Sequence, residues 1–171
     1  SSVKAMPISE ISFNDEKRIF TGIDELDRVL GGGVVNGSVI LLSGDPGIGK
    51  STILLQVGAN FPADKKILYV SGEESINQIK LRAERLSVNN PNLYIMAETD
   101  TNLICDYISE TKPDLIIIDS IQTMQINEIA SSAGSVLQVR ESTNMFLRVC
   151  KEQNIPVFIV GHVNKSGDIA G

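Results

Sequence analysis

Residues 44–52 read GDPGIGKST. Gly44, Gly49, Lys50 and Ser51 stand at the spacing G-x-x-x-x-G-K-S, the pattern of a loop that wraps phosphate groups in backbone amides. The stretch follows an apolar run, SVILLS at 38–43, and opens a helical pattern over about 50–60. A strand feeding a helix through such a loop aims successive N–H groups and a helix N-terminus at one anion. Glycines at 44, 47 and 49 permit backbone angles and a close approach that side chains would block. Gly44, Asp45, Pro46, Gly47, Ile48, Gly49, Lys50, Ser51 and Thr52 are therefore the expected phosphate cradle. Within it, Lys50 is expected on the β and γ phosphates and the Ser51 hydroxyl on Mg²⁺. The competing reading is a glycine-rich strand-to-helix turn with an exposed lysine.

Outward from the loop, short apolar runs alternate with amphipathic stretches. Strands are expected at 38–43, 66–71 (KILYVS), 92–97 (NLYIMA), 115–119 (LIIID) and 157–161 (VFIVG), with helices at about 50–60, 75–87, 102–111 and 135–153. Runs such as LIIID are apolar at every position, as a sheet covered on both faces requires. The alternation predicts an α/β fold: a central, mostly parallel, twisted β-sheet with helices on both faces. Ahead of it, Thr21 is a candidate cap for a short helix whose apolar face is Ile23, Leu26, Val29 and Leu30, stopped by Gly31–Gly33. Residues 1–17 are polar and lack periodicity, an arm or linker remnant, which leaves 18–171 as the folded core.

A chain of 171 residues is long enough to bury one core without disulfides or metal. No apolar run approaches the roughly 20 residues that span a bilayer, and the start SSVKAMPISE has no signal-peptide core, so a cytoplasmic protein without a membrane partner is expected. Cys105 and Cys150 form no C-x-x-C pair and fall in helical stretches, as buried free thiols would. With 15 Lys and Arg against 21 Asp and Glu, the net charge of −6 excludes a surface generally coated for nucleic acid; any DNA contact must be local or need assembly.

Three further groups follow strand ends. Asp119 closes LIIID, where a carboxylate completes the surroundings of an Mg²⁺ held by one hydroxyl and two phosphates, the Walker B arrangement; the competing reading is a turn or cap residue after the strand. Its neighbour Ser120 is either a hydrogen-bonding partner or a turn residue. Glu73 and Glu74 follow the second strand. Either this pair positions or deprotonates the water that attacks the γ phosphate, with Glu73 the favoured member, or it forms the acidic start of the helix near Ser75. His162, the single histidine, ends the fifth strand and is either a γ-phosphate sensor or a hydrogen-bonded edge residue. Lys50, Glu73, Glu74 and His162 are thus the catalytic candidates, and Ser51 and Asp119 the metal ligands. In an open parallel sheet the carboxyl ends of strands line one edge, where ligands bind.

Taken in order, TGIDELDRVLGGG, GDPGIGKST, LYVSGEES, KLRAERL, AETD, PDLIIIDSIQT, GSVLQVRE and GHVNKSGDIAG resemble the bacterial RadA/Sms DNA-repair ATPases of the RecA-like P-loop branch, over about residues 18–171. The resemblance implies a RecA-like fold in which the fifth strand lies between the P-loop strand and the Walker B strand, with His162 beside the γ phosphate. It implies hydrolysis of ATP with Mg²⁺ by a ring-shaped homo-oligomer, a hexamer, that moves on single-stranded DNA and promotes branch migration in recombinational repair, with a recombinase as a further partner. Its DNA-facing loops map to about Gln125–Gly134 and Asn164–Gly171, where Lys165 is the one basic residue. Relative to the full family pattern the chain carries no four-cysteine zinc module and stops before the Lys-Asn-Arg-Phe-Gly motif and the Lon-protease-like domain, as an ATPase core fragment would. The alternative class is a nucleotide-controlled oligomeric scaffold or timer, as in clock-type relatives of the same fold.

Overall fold

Val, Ile and Leu dominate the strand segments, and such side chains suit a pleated surface packed from both sides. In the computed structural model, which describes residues 4–11, 17–44 and 49–162, those segments form the sheet. The elements run β1 (Arg18–Ile19), α1 (Asp24–Val29), β2 (Val34–Val35), β3 (Val39–Gly44), α2 (Lys50–Asn60), β4 (Ile67–Ser71), α3 (Ile76–Arg85), β5 (Leu93–Ala97), α4 (Thr101–Thr111), β6 (Leu115–Asp119), α5 (Val136–Gln153) and β7 (Val157–His162). Five strands make a parallel sheet in the order β3-β7-β6-β4-β5, so the fifth strand of the sheet sits between the strand entering the glycine-rich loop and the strand ending in Asp119. The small β1–β2 pair is antiparallel and was not expected from the sequence.

Alternation divides the core in two. Ile67 and Tyr69 of β4 and Leu115 and Ile117 of β6 pack with Leu54, Leu55 and Ile79 of α2 and α3. Leu68, Val70, Ile116 and Ile118 face Ile104 and Ile108 of α4 and Phe146 and Cys150 of α5. Helices thus cover both faces of the central strands, and full burial of each such side chain contributes roughly 1.5–3 kcal/mol. At the edge strand β3 one face stays open: Val39 and Leu41 are 45% and 53% exposed, while Ile40 and Leu42 pack inward.

Local signals set the helix ends. Ser75 and Gln78 form a reciprocal capping box at α3. Asp100 caps α4 and Ser135 caps α5, each accepting from a backbone N–H three residues on. Around α1 the expectation needs correction. Ile23 occupies the N-cap position without a side-chain bond; Thr21 is buried, its N–H donating to the Asp27 carboxylate at 2.8 Å and its hydroxyl accepting from Ile23 N at 3.2 Å. Val29, placed on the apolar face by spacing, is 80% exposed: Ile23, Leu26 and Leu30 pack on the core, and at 3.6 residues per turn Val29 falls about 60° beyond Leu26, at the solvent edge of that stripe. On α3, Ile76 lies 54% exposed while Ile79 is fully buried. Residues 4–11 are exposed throughout.

Candidate functional site

Strand register brings the singled-out groups together. Gly44 of β3 pairs with His162 of β7, Ser71 of β4 pairs with Asp119 of β6, and Asp119 pairs with Val160 of β7. Four strands therefore end level, and the polar residues at their tips face one edge of the sheet. A cleft of ≈ 280 Å³ opens there, lined by Gly49, Lys50, Ser51, Thr52, Glu74, Arg82 and His162. Asp45, Pro46, Gly47 and Ile48 of the expected cradle lie outside the described residues, as do Lys165 and the rest of the Asn164–Gly171 loop.

Gly49 starts α2 with φ 60, a left-handed conformation that glycine adopts without strain. From the first turn of this helix Lys50 turns back over the strand tips, donating to Gly44 O at 2.7 Å and Gly161 O at 3.3 Å, with His162 Nδ1 3.5 Å away. These are weak competitors for an ammonium, which pairs more strongly with phosphate oxygens.

Next along the helix, Ser51 Oγ donates to Asp119 Oδ2 at 2.5 Å. The same carboxylate oxygen accepts from the Tyr69 hydroxyl at 2.7 Å. Burial, and then the neighbouring Asp119 charge, hold the Tyr69 phenol well above its ordinary pKa, against an opposing pull from Arg82; the hydroxyl stays protonated as a donor. Asp119 is itself buried and caps no helix, since Ser120 holds the N-cap position of the following 3-10 turn. A hydroxyl and a carboxylate in contact are hard oxygen donors that fit Mg²⁺. Among the described residues no group of three or more acidic, His or Cys side chains converges. Phosphate oxygens and water would complete the shell, the usual way this ion is bound.

The two glutamates have different partners. Glu73 Oε1 accepts from Ser120 Oγ at 3.2 Å and lies 3.4 Å from His162 Nε2. Glu74 Oε1 pairs with Arg82 Nη2 at 2.7 Å. Neither is in the first turn of α3, which holds no acidic residue and is capped by Ser75 instead. Their backbone N–H groups both reach Ser71 Oγ, at 3.4 and 3.0 Å, which folds the β4–α3 turn over the tip of β6. Gly72 makes this approach possible: a Cβ there would lie 2.0 Å from Thr123 Oγ1. His162 is clamped through its backbone, its N–H donating to Gln122 Oε1 at 3.2 Å and its carbonyl accepting from Gln122 Nε2 at 3.3 Å.

Tyr69, Ser71, Arg82 and Gln122 escaped the sequence reading. Tyr69 and Ser71 alternate within a strand that reads as apolar, and the signal that could have found them is register with Asp119. Gln125–Gly134, the loop mapped toward DNA, is tied down by the buried Gln138 amide, which accepts from Ile126 N and donates to the carbonyls of Ile126, Ile129 and Ser131. The loop contains no Lys or Arg.

A family model described as an AAA domain matches residues 6–168. The chain is 57% identical over 169 residues to the DNA repair protein RadA of Listeria monocytogenes, covering 98% of this chain and 37% of that protein. It is 52% identical over 169 residues to the RadA of Bacillus subtilis, with the same two coverages, and 49% identical over 168 residues to that of Streptococcus pneumoniae, covering 98% and 40%. The resemblance read from the motifs thus extends over nearly the whole chain. The chain spans 37% to 40% of the length of these curated relatives. Among the described residues no helix is long and apolar enough to cross a membrane.

Proposed function

The chain belongs to the AAA domain family, and from that membership we propose that its sheet-edge cleft binds ATP with Mg²⁺ and hydrolyses it, as the ATPase core of a DNA-repair protein. The observation that carries this reading is the level ending of β3, β7, β6 and β4: Lys50, Ser51 and His162 line one cleft, Asp119 bonds Ser51 beside it, and Glu73 lies 3.4 Å from His162.

In this reading Gly44–Thr52 cradle the phosphates and Lys50 exchanges its carbonyl partners for β and γ oxygens. Ser51 and Asp119 hold the metal, which supplies charge neutralisation on the transferring phosphate. Tyr69 fixes the Asp119 carboxylate from behind. Glu73 orients the attacking water and accepts its proton, a role that typically contributes 10²–10⁴-fold. His162, between Lys50 and Glu73, senses the terminal phosphate and passes its state to the segment that follows. The names of the relatives extend the proposal to DNA repair. Its finer form is a cytoplasmic, ring-shaped homo-oligomer, a hexamer, that moves on single-stranded DNA and promotes branch migration beside a recombinase, with residues 18–171 as the ATPase core behind a 1–17 arm.

One observation favours a second reading. The net charge is −6, and the Gln125–Gly134 loop has no cation, which suits a nucleotide-controlled scaffold better than a DNA motor. Steady-state ATPase of the intact protein with and without single-stranded DNA separates the two. The motor reading expects DNA-stimulated turnover that Glu73→Gln lowers by about 10²–10³-fold while nucleotide binding stays within about twofold. Turnover indifferent to DNA supports the scaffold. No turnover in the wild type, or full turnover in Glu73→Gln, contradicts the hydrolytic assignment.

A further inference from the structure

The cleft that Lys50 lines holds a second cation. Arg82 reaches the cleft from α3, where its Nη2 donates to Glu74 Oε1 at 2.7 Å. Its side chain is 22% exposed and that of Glu74 31%, so the pair is largely withdrawn from water. Among the described residues, Arg82 Nε is the buried side-chain nitrogen or oxygen without a hydrogen-bond partner. Leaving a buried donor unpaired is costly, and more so when the group is charged. A guanidinium carries five donors in a planar fork shaped for phosphate or carboxylate. Here one oxygen of Glu74 engages it and the Tyr69 hydroxyl lies beside it, while Nε stays without a partner in a cleft that Lys50 and the start of α2 also line.

We infer that Arg82 is a ligand of the terminal phosphate of a nucleoside triphosphate, parked on Glu74 until that phosphate displaces the carboxylate. This rests on the reading of the cleft as a nucleotide site and specifies what the site recognises. The assignment to the terminal phosphate follows from the wall that bears Arg82. It is the β4–α3 wall, which also carries Glu73, and a phosphate attacked by water held at Glu73 must lie against that wall. A diphosphate ends before it. The exchange conserves charge pairing: Arg82 trades one carboxylate oxygen for phosphate oxygens, and Glu74 is released toward solvent, where an exposed carboxylate is well hydrated. Arg82 would therefore act within its own subunit to discriminate triphosphate from diphosphate.

The test is calorimetric titration of the intact protein, in Mg²⁺ buffer, with a slowly hydrolysed ATP analogue and with ADP, for wild type, Arg82→Ala, Arg82→Lys and Glu74→Gln. Arg82→Ala is expected to weaken the triphosphate analogue by tenfold or more and ADP by less than twofold. Glu74→Gln, which removes the competing charge, is expected to tighten the triphosphate analogue by twofold or more. Should Arg82→Ala fail to fold by circular dichroism, Arg82→Lys carries the test, because a point charge without the fork should still lose several-fold for the triphosphate selectively. Equal weakening of both nucleotides, or of neither, by the Arg82 variants overturns the inference and leaves Arg82 as a structural partner of Glu74. A wild type that binds neither nucleotide overturns the cleft assignment itself, and the inference with it.

Discussion

Within the single strand β6, positions 115–118 and position 119 obey opposite rules. Leu115, Ile116, Ile117 and Ile118 are fully buried among aliphatic neighbours, and what matters there is volume. One residue on, Asp119 is 4% exposed and surrounded by hydroxyls, and what matters is which atoms donate to it. The neighbouring strand repeats the pattern: Ile67, Leu68 and Val70 are core, while Tyr69 is core by its ring and edge by its hydroxyl. The sheet interior supplies stability and the carboxyl edge uses it, holding close-set polar groups that would be costly in isolation. Interior substitutions should therefore move stability and reach nucleotide binding through folding alone, whereas edge substitutions should do the reverse.

The largest expected effect is interior. Ile117→Ala removes a fully buried β6 side chain from the cluster it shares with α2 and should cost about 2–5 kcal/mol in urea unfolding, with nucleotide affinity of the folded fraction unchanged. A loss under about 1 kcal/mol would mean that the site collapses easily and the interior is not close-packed. At the edge, Lys50→Ala should weaken ATP by on the order of 100-fold, about 2.7 kcal/mol, while unfolding shifts by less than about 1 kcal/mol, because among the described residues its polar partners are two carbonyl oxygens and His162. Equal losses in both measurements would erase the distinction between the two regions.

How far these regions could be read from sequence differs for the same reason. LIIID and VFIVG announce themselves because strands buried on both faces need no polar position, and GDPGIGKST because its glycines and lysine have few other uses together. Asp119, Glu73 and His162 were legible as residues that follow strands. Their partners were not. Tyr69 bonds Asp119 across 50 positions, and Arg82 meets Glu74 from the far end of α3, so neither pairing has a local pattern. The misplacement of Thr21 has the same origin: its backbone bonds to Asp27 at a separation of six, a spacing that no capping rule anticipates. The half-open β3 was hidden because burial on one face or two depends on what neighbours the strand.

Tyr69→Phe sharpens the comparison where interior and edge meet in one side chain. The ring is kept and the hydroxyl lost, so packing should hold while Asp119 loses a donor, a change of about 1 kcal/mol read as weaker Mg²⁺-dependent nucleotide binding. Stability altered with binding unchanged would place Tyr69 in the interior alone. The smallest effect is expected at the interior thiols. Burial raises Cys105 and Cys150 from the ordinary 9.0 to about 12. Both are protonated in folded and unfolded chains below pH 9; above it the unfolded chain ionises first, so their contribution is lost as pH climbs from 9 toward 12. At pH 8 iodoacetamide should modify them only as fast as the chain unfolds. Rapid labelling of the native protein at that pH would show that the α4–α5 layer opens locally.

Metal dependence of triphosphate binding tests the assignment of the carboxyl edge most directly, because it requires Ser51 and Asp119 to act on the same ion. Titration with a slowly hydrolysed ATP analogue, with Mg²⁺ and with EDTA, should show wild type gaining about tenfold or more from the metal, and Asp119→Asn losing that gain while still binding the metal-free analogue. An equal Mg²⁺ effect in both proteins would contradict the account, as would a wild type that binds no nucleotide.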